Sequence, residues 1–231
     1  SDESGFTADI GARGKWKNIS YDVNLFGLLY DDRLGEVLRA ETRLTAEGTV
    51  IETGRVVRFR GNIGQALIYG LESFADWNIL EPNMDENRFW KLNYFLNLAI
   101  TRSNYLSSDI ANVADNQVEF IPLLNAKTGV RFGYKNLMGS LQFTYLSEQF
   151  TDASNAPQNR RDNQSGIVGT IPAYQIMDFS VSYKKSWWTL ETGINNVLDE
   201  RYFTRRATGY PGPGIIPSLP RTFYVTVGIK F

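Results

Sequence analysis

Apolar and polar residues alternate with a period of two along most of the chain, which is typical of β-strands with one buried face. The clearest case is the segment 177–184, MDFSVSYK, in which every odd-numbered residue is apolar or aromatic and every even-numbered one is polar or charged. The same alternation predicts nine strands, at residues 4–16, 18–30, 65–79, 88–101, 123–134, 137–150, 173–184, 187–200 and 221–231. No helical period competes with it, so the pattern predicts an all-β, antiparallel protein.

The connections between these strands alternate in length. The short ones are at residues 17–18, 80–87, 135–136 and 185–186, and the long ones are at residues 31–64, 102–122, 151–172 and 201–220. Every second connection of an antiparallel meander lies at the same end, so the long loops gather together. Long loops at one end and short periplasmic turns at the other are the rule in outer-membrane β-barrels and uncommon in compact soluble domains.

Aromatic residues cluster at one level of the predicted sheet. They lie beside the short turns or at the C-terminus, at Trp16, Tyr21, Trp77, Trp90, Tyr134, Tyr183, Trp188 and Phe231. Girdles of aromatic residues mark the two membrane interfaces of a β-barrel. We therefore expect an antiparallel transmembrane β-barrel segment in the outer membrane of a Gram-negative bacterium.

Composition excludes several classes of function. The chain has no Cys and no His, which removes thiolate and imidazole metal ligands and the common Ser-His and Cys-His catalytic pairs. Its net charge of -1 provides no basic field for a nucleic acid. No arrangement of carboxylates indicates a glycosidase pair either. We predict no enzymatic activity, no cofactor, no protein-bound metal and no nucleic-acid partner.

The strand count does not close a barrel. The first and last of nine antiparallel strands run in the same direction, whereas single-chain bacterial barrels have even, antiparallel counts. Two open edges in lipid would leave backbone hydrogen-bonding groups without partners. Either one strand is missed, or the chain is part of a larger barrel. The abrupt start directly before a strand favours the second explanation.

The segment 195–220, NNVLDERYFTRRATGYPGPGIIPSLP, carries a motif. Together with Arg221 and the final Phe231, it resembles the C-terminal signature of TonB-dependent outer-membrane receptors, in which an Asn-Leu-Phe-Asp-like turn precedes a Tyr. Val197 and Leu198 replace the commoner Leu-Phe pair. Upstream segments resemble strands in the middle of the same barrel, so the likeness spans nearly the whole chain. Within the family, YFTRR at 202–206 together with YPGPG at 210–214 resembles receptors of the ferric dicitrate type.

The resemblance implies a twenty-two-stranded barrel that encloses an N-terminal plug preceded by a TonB box. Residues 1–231 would then be the C-terminal part, strands fourteen to twenty-two, with the plug and the earlier strands absent from this chain. The implied function is active transport of a ferric siderophore or ferric citrate, energised by TonB through the missing plug. Further implied partners are outer-membrane lipid, lipopolysaccharide and the barrel-assembly machinery, which would read Phe231.

Arginines and lysines are sorted along the predicted sheet. Thirteen of the sixteen Arg lie in or beside the long loops, and none of the eight Lys does. The planar guanidinium binds carboxylates and phosphates through two parallel hydrogen bonds, which suits an anionic ferric chelate. The doublets Arg160–Arg161 and Arg205–Arg206, that is Arg160, Arg161, Arg205 and Arg206, are the predicted ligand-binding residues. The alternatives are contacts with lipopolysaccharide phosphates or salt bridges to Glu36, Glu41 and Glu52.

Polar residues on the opposite face from the apolar stripes would line the barrel lumen. They are Glu72, Asp76, Asn93, Asn97, Lys127, Arg131, Gln142 and Asp178. We predict that they contact the plug or one another. Two other interpretations stay open at the level of sequence: a smaller self-contained barrel that acts as a passive pore or structural anchor, and a soluble β-sandwich that binds a partner.

Overall fold

The computed structural model describes residues 2–82, 89–157, 168–206 and 215–230. These residues form eleven strands: β1 (Ser4–Trp16), β2 (Ile19–Leu44), β3 (Val50–Leu80), β4 (Trp90–Ser107), β5 (Leu124–Tyr134), β6 (Leu137–Leu146), β7 (Tyr174–Lys185), β8 (Trp188–Asn195), β9 (Phe203–Arg206), β10 (Ile215–Pro217) and β11 (Thr222–Ile229). Within those ranges, no helix is long and apolar enough to cross a membrane.

Nine strands form one antiparallel sheet in chain order, with β11 beside β8. The strands β9 and β10 pair only with each other, in the long connection between β8 and β11. The all-β, antiparallel prediction and the number of strands in the sheet are therefore confirmed. Because every pairing in the large sheet is antiparallel, its edge strands β1 and β11 run in the same direction.

The register places apolar side chains on one face of the sheet and polar side chains on the other. One row across five strands reads Ile10, Leu25, Leu71, Ile100 and Leu124. The neighbouring row on the opposite face contains Asn24, Glu72, Ala99 and Asn125. We call these the apolar face and the polar face. Ile10, Leu25 and Ile100 are exposed, so the apolar face has no protein cover in the part of the chain that the structure describes.

The predicted loop at residues 31–64 is wrong. These residues extend β2 and β3 into a long hairpin that closes at a turn in which Thr45 N–H donates to the Thr49 carbonyl at 2.8 Å. Sequence reasoning missed it because exposed arginines interrupt the apolar alternation on both strands. Cross-strand pairing holds the extension together, and Arg39 lies 4.2 Å from the centre of the Phe59 ring.

A bulge separates the hairpin extension from the body of the sheet. The register shifts between Tyr30 and Arg33, and Asp32 adopts a left-handed conformation with φ of 53°. Opposite it, Gly64 has φ of 153°, and a Cβ there would lie 2.1 Å from the Ser107 carbonyl oxygen. Only glycine fits this close approach of β3 to the end of β4.

A small hydrophobic core lies at the end of the sheet where the long connections gather, which we call the long-loop end. It contains Val37, Ile63, Ala66, Ile68, Tyr105, Val113, Val118 and Ala153. Several of these residues belong to the connections after β4 and β6, which fold back over the polar face. Phe26, Leu28 and Tyr30 of β2 pack against this core. The polar face is therefore polar only away from the long-loop end.

Aromatic rings meet at the opposite, short-turn end. Trp90 and Tyr134 on β4 and β5 have ring centroids 4.7 Å apart, and Tyr183 and Trp188 on β7 and β8 are 5.5 Å apart. Residues 83–88 of the third turn, and Phe231, lie outside the described residues. The β1–β2 and β5–β6 hairpins turn at the predicted pairs. The β7–β8 hairpin turns at residues 186–187, one residue later than predicted, and β8 ends at Asn195 instead of residue 200.

Candidate functional site

A groove of 850 Å³ runs across the polar face from β1 to β5. Both signs of charge line it, with Asp9 and Glu72 as acids and Arg13 and Lys127 as bases. Asn97, another residue predicted to line the lumen, lies in the same groove. The groove is broad, open and polar, which suits contact with another polar surface better than enclosure of a small apolar ligand.

Three of the predicted lumen residues meet in a network near the short-turn end. Arg131 on β5 forms a salt bridge with Asp76 on β3, and its guanidinium lies 5.4 Å from the Phe95 ring centre. Asn93 on β4 donates a hydrogen bond to the Asn78 side chain and reaches Asp76 at 3.5 Å. Asn93 is 7% exposed, so its polar atoms are held by the neighbouring strands.

Gln142 and Asp178 form a second group, away from this network. They are cross-strand partners on β6 and β7, and both line a cavity of 140 Å³. The Asp178 Oδ1 accepts a hydrogen bond from the Asn196 N–H at 2.8 Å. The structure therefore divides the predicted lumen residues between the groove, the Asp76 network and the Asp178 cavity.

A buried polar cluster, which sequence reasoning did not predict, joins Arg33, Tyr105 and Glu119. The Arg33 Nη1 donates to the Tyr105 hydroxyl at 2.8 Å and to the Glu119 Oε1 at 2.9 Å. The Tyr105 hydroxyl donates to the Glu119 Oε2 at 2.8 Å, and the Glu36 N–H reaches Glu119 Oε1 at 3.2 Å. The cluster fastens the connection after β4 to the bulge on β2.

Burial and charge act on this cluster together. Tyr105 is 0% exposed and Glu119 is 4% exposed. Burial, and next the negative charge of Glu119, raises the pKa of the Tyr105 hydroxyl far above its usual value. Burial opposes the charge of Arg33, but Glu119 and Tyr105 outweigh it, so the pKa of the guanidinium is raised. Both groups stay protonated at neutral pH, and Glu119 balances the buried positive charge.

A second ion pair binds the hairpin extension to the connection after β6. Arg58 on β3 forms a salt bridge with Glu36 on β2 and contacts the Thr151 carbonyl at 3.4 Å. The Ala153 N–H donates to the Glu36 carbonyl at 2.8 Å. For Arg33 and Arg58, the structure favours the alternative in which loop arginines pair with loop carboxylates, although the partner of Arg33 is Glu119, which was not among those predicted.

The structure describes one of the two predicted arginine doublets. Arg160 and Arg161 lie outside the described residues. On β9, Arg205 is exposed and Arg206 is 2% exposed. The Arg206 Nε donates to the Thr170 carbonyl at 2.9 Å, and burial lowers the pKa of its guanidinium. Arg206 therefore has a structural role in the β9–β10 hairpin, and Arg205 is the member of this doublet that a ligand can reach.

The C-terminal motif forms a compact turn around Asn196. Its side chain accepts from the Glu200 N–H at 2.9 Å and donates to the Glu200 carbonyl at 2.9 Å. It also reaches the Leu219 carbonyl at 3.4 Å. Asp199 Oδ1 accepts from the Arg221 N–H at 3.0 Å, and Tyr202 stacks on Tyr174 with centroids 4.6 Å apart. The motif thus ties the end of β8 to the start of β11.

In the described ranges, the groove, the polar networks and the C-terminal motif consist of hydrogen bonds and ion pairs, which can bind a partner noncovalently. Among the described ranges, no group of three or more acidic residues is placed to hold a metal ion. Glu119 and Asp76 are occupied by arginines, and the fully buried Asp152 accepts from the Ser154 N–H at 2.8 Å. The groove therefore suits contact with another polar surface, and the exposed arginines of the long-loop end suit noncovalent recognition of an anion.

Solved structures share the fold of this chain. The ferric citrate transporter FecA matches with a TM-score of 0.72 and 20% identity, over 97% of this chain and 31% of its own. The ferric yersiniabactin uptake receptor FyuA from Yersinia pestis matches with a TM-score of 0.70 and 17% identity, over 99% and 30%. A ferric enterobactin receptor mutant from Pseudomonas aeruginosa matches with a TM-score of 0.65 and 15% identity, over 99% of this chain and 32% of its own. The chain thus spans about a third of the length of these proteins.

The sequence itself identifies the family. Among curated proteins, none matches the chain. Residues 2–197 match the family described as TonB dependent receptor-like, beta-barrel. This match includes β1 to β8, and the antiparallel sheet with one apolar and one polar face is the corresponding part of such a barrel. The family is one of outer-membrane transport receptors and not of enzymes. The chain belongs to the TonB-dependent receptor family and forms part of its β-barrel.

Proposed function

We propose that the chain is the C-terminal part of an outer-membrane receptor that takes up a ferric siderophore or ferric citrate with energy supplied through TonB. The observation that carries this proposal is the family match over residues 2–197. Transport requires a wall that crosses the membrane and a site that recognises the chelate. It requires no bond between the protein and the iron, because the chelator holds the ion.

Exposed arginines at the long-loop end support an anionic cargo. Arg205 lies on the β9–β10 hairpin, and Arg39, Arg43, Arg55 and Arg60 are exposed on the hairpin extension. Guanidinium groups bind carboxylate and phenolate-type oxygens with directional, charge-assisted hydrogen bonds. Ferric citrate is the narrower proposal, in keeping with the YFTRR segment and the likeness to FecA. Arg160 and Arg161 belong to the same proposal.

The polar face would contact the plug in the complete receptor. Glu72 and Lys127 line the open groove, and Asp76, Asn93, Arg131, Gln142 and Asp178 form the two networks beside it. TonB would act through the plug and its TonB box, which belong to the part of the receptor outside this chain. Lipopolysaccharide around the long-loop end and recognition of Phe231 by the barrel-assembly machinery complete the proposed partners.

Uptake of radioactive iron by cells that express the full-length receptor tests the proposal. We expect ferric citrate or a ferric siderophore to enter cells that carry the receptor and TonB, and uptake to stop when TonB is deleted or a protonophore is added. Uptake that continues without TonB would support the passive pore instead. Absence of a plug-encoding region upstream in the gene would also overturn the transporter proposal.

A matched pair of variants tests the arginine contribution. Arg205→Gln removes an exposed charge at the long-loop end, and we expect chelate affinity to fall about tenfold, the loss typical of one charge-assisted hydrogen bond. Arg13→Gln removes a charge from the groove near the other end and should leave affinity unchanged. Equal affinities for the wild type and both variants would place recognition elsewhere.

A further inference from the structure

Lysines gather at the short-turn end of the sheet. Seven of the eight lie there, at Lys15, Lys17, Lys91, Lys135, Lys184, Lys185 and Lys230, whereas Lys127 lies midway along β5. Three of the seven occupy or adjoin the tips of the β1–β2, β5–β6 and β7–β8 hairpins. We call these three, Lys17, Lys135 and Lys185, the turn lysines. All three are exposed.

Two of the turn lysines occupy a backbone conformation that disfavours lysine. Lys17 and Lys135 both have φ of 51°, in the left-handed region. Gly, Asn and Asp are the usual residues at this position of a two-residue hairpin turn, and other residues there cost roughly 1 kcal/mol. Both turns place lysine first and asparagine second. Lysine therefore occupies an unfavourable left-handed conformation at the first position of both turns. This repetition indicates a function for its charge.

An aromatic ring lies beside Lys17 and beside Lys135, and aromatic residues follow Lys185 in the sequence. The Lys17 Nζ is 5.1 Å from the Trp16 ring centre, and the Lys135 Nζ is 4.8 Å from that of Phe89 and 5.4 Å from that of Tyr134. Trp187, two residues after Lys185, packs edge-on against Trp188. Trp16 is 63% exposed and Trp187 is 58% exposed. In membrane proteins such amphipathic rings lie at the level of the lipid headgroups.

The ammonium groups carry uncompensated charge at this level. In the described ranges, no carboxylate lies within salt-bridge distance of any turn lysine, and the ion pairs there involve Arg33, Arg58 and Arg131. A lysine on a flexible stem reaches a headgroup phosphate while its methylenes lie on apolar surface. Its complement at the membrane surface is an anionic phosphate that is held in place by acyl chains.

We propose that the turn lysines bind the phosphates of an anionic glycerophospholipid in the membrane leaflet at the short-turn end. The adjacent rings pack on the glycerol and upper acyl region of the lipid, and the ammonium groups contact the phosphate. Three sites at one level form a partial collar that fixes the depth of the sheet in the bilayer. The proposal depends on membership of the barrel family and not on the identity of the transported chelate.

The test measures lipid retained by the full-length receptor. Receptor purified from nanodiscs that contain equal amounts of phosphatidylglycerol and phosphatidylethanolamine is analysed by native mass spectrometry. The test variant is Lys17→Asn with Lys135→Asn, because asparagine suits the left-handed backbone and removes the charge. The matched control is Lys127→Asn, which removes one lysine from the groove.

We expect the wild type and the Lys127→Asn variant to retain phosphatidylglycerol in preference to phosphatidylethanolamine. The double variant should bind phosphatidylglycerol about fivefold more weakly for each lysine removed, in line with ~1 kcal/mol for a basic residue at an anionic surface. Its stability should be unchanged or higher, since the left-handed strain is relieved, so a loss of lipid cannot be attributed to misfolding.

Three results would overturn the proposal. The first is equal retention of the two lipids by the wild type. The second is undiminished phosphatidylglycerol on the double variant. The third is full displacement of the lipid by soluble glycerol phosphate, which would identify a free anion instead of a membrane lipid as the ligand. Heat-modifiable migration on gels confirms that each variant is folded; if the double variant fails this check, Lys185→Gln, at a residue without left-handed strain, replaces it and must show the same fivefold loss.

Discussion

The side chain of Asn196 closes a ring with the backbone of Glu200. Its Oδ1 accepts from the Glu200 N–H and its Nδ2 donates to the Glu200 carbonyl, both at 2.9 Å. Asn196 itself is left-handed, with φ of 54°, a conformation in which asparagine is favoured over most residues. One residue therefore ends β8 and directs the chain toward β9, which explains why the motif begins with this asparagine.

Asn196→Ala removes both hydrogen bonds and leaves the N–H and carbonyl of Glu200, a half-buried residue, without these partners. We expect the free energy of unfolding of the full-length receptor in detergent to fall by about 2 kcal/mol, the typical cost of a buried unsatisfied group. Chemical denaturation followed by tryptophan fluorescence measures the change. Asn195→Ala is the control, because Asn195 is exposed and its side-chain hydrogen bond to Thr222 is long, at 3.4 Å. Equal stability of the two variants would contradict the structural role of Asn196.

Glu119→Gln removes the counter-charge of Arg33 while it preserves the shape of the side chain. The guanidinium then stays buried without a negatively charged partner. We expect the free energy of local unfolding of the connection after β4 to fall by about 2 kcal/mol. Limited proteolysis should cleave within residues 108–123 sooner than in the wild type. Glu52→Gln, at an exposed position of the hairpin extension, should change nothing. An unaltered cleavage rate in Glu119→Gln would show that packing alone holds the connection.

Gly35→Ala tests how tightly the cluster packs. A Cβ at residue 35 would lie 2.5 Å from Glu119 Oε1 and 2.8 Å from the Tyr105 hydroxyl. Because both atoms belong to the buried hydrogen-bonded cluster, they cannot move away without breaking a hydrogen bond of that cluster. We expect faster proteolysis of the same connection. Gly27→Ala adds a methyl group where no atom lies within 4 Å, and it should behave as wild type in the same assay.

Alkaline pH should affect the cluster through Tyr105, which lies on β4 beyond the predicted membrane strand. Its pKa is raised above the ordinary value near 10. Above about pH 10 the unfolded state loses the Tyr105 proton, whereas the native state keeps it. The contribution of the protonated Tyr105 to the free energy of unfolding is therefore complete below about pH 10 and falls as the pH rises further. Absorbance at 295 nm should show no difference between wild type and Tyr105→Phe near pH 10. Ionisation of one extra tyrosine there would contradict the burial of Tyr105.

The strands of the sheet were predictable where one face is apolar and the other is polar. This holds for β5 to β8, whose boundaries differ from prediction mainly at the long-loop end. The hairpin extension was not predictable in this way, because neither of its faces carries a continuous apolar stripe. Its cross-strand hydrogen bonds, such as those beside the Thr45 turn, have no periodic signature in the sequence.

The buried cluster was unpredictable for a different reason. Arg33 and Glu119 are 86 residues apart in the sequence, and Arg33 and Tyr105 are 72 apart. No local spacing relates them, and only the register of β2, β3 and β4 brings them together. Asn196, in contrast, acts within four residues of itself, which is why its motif is visible in the sequence.

The parallel direction of the edge strands β1 and β11 sets an arithmetic condition on the rest of the receptor. Strand directions alternate around a closed antiparallel ring, so the ring needs an even total. Nine strands lie in the large sheet within the described ranges. The remaining arc must therefore supply an odd number, and its two outermost strands must both run opposite to β1. An insertion or deletion of a single strand anywhere in that arc would leave a seam that no antiparallel hydrogen-bond ladder can join.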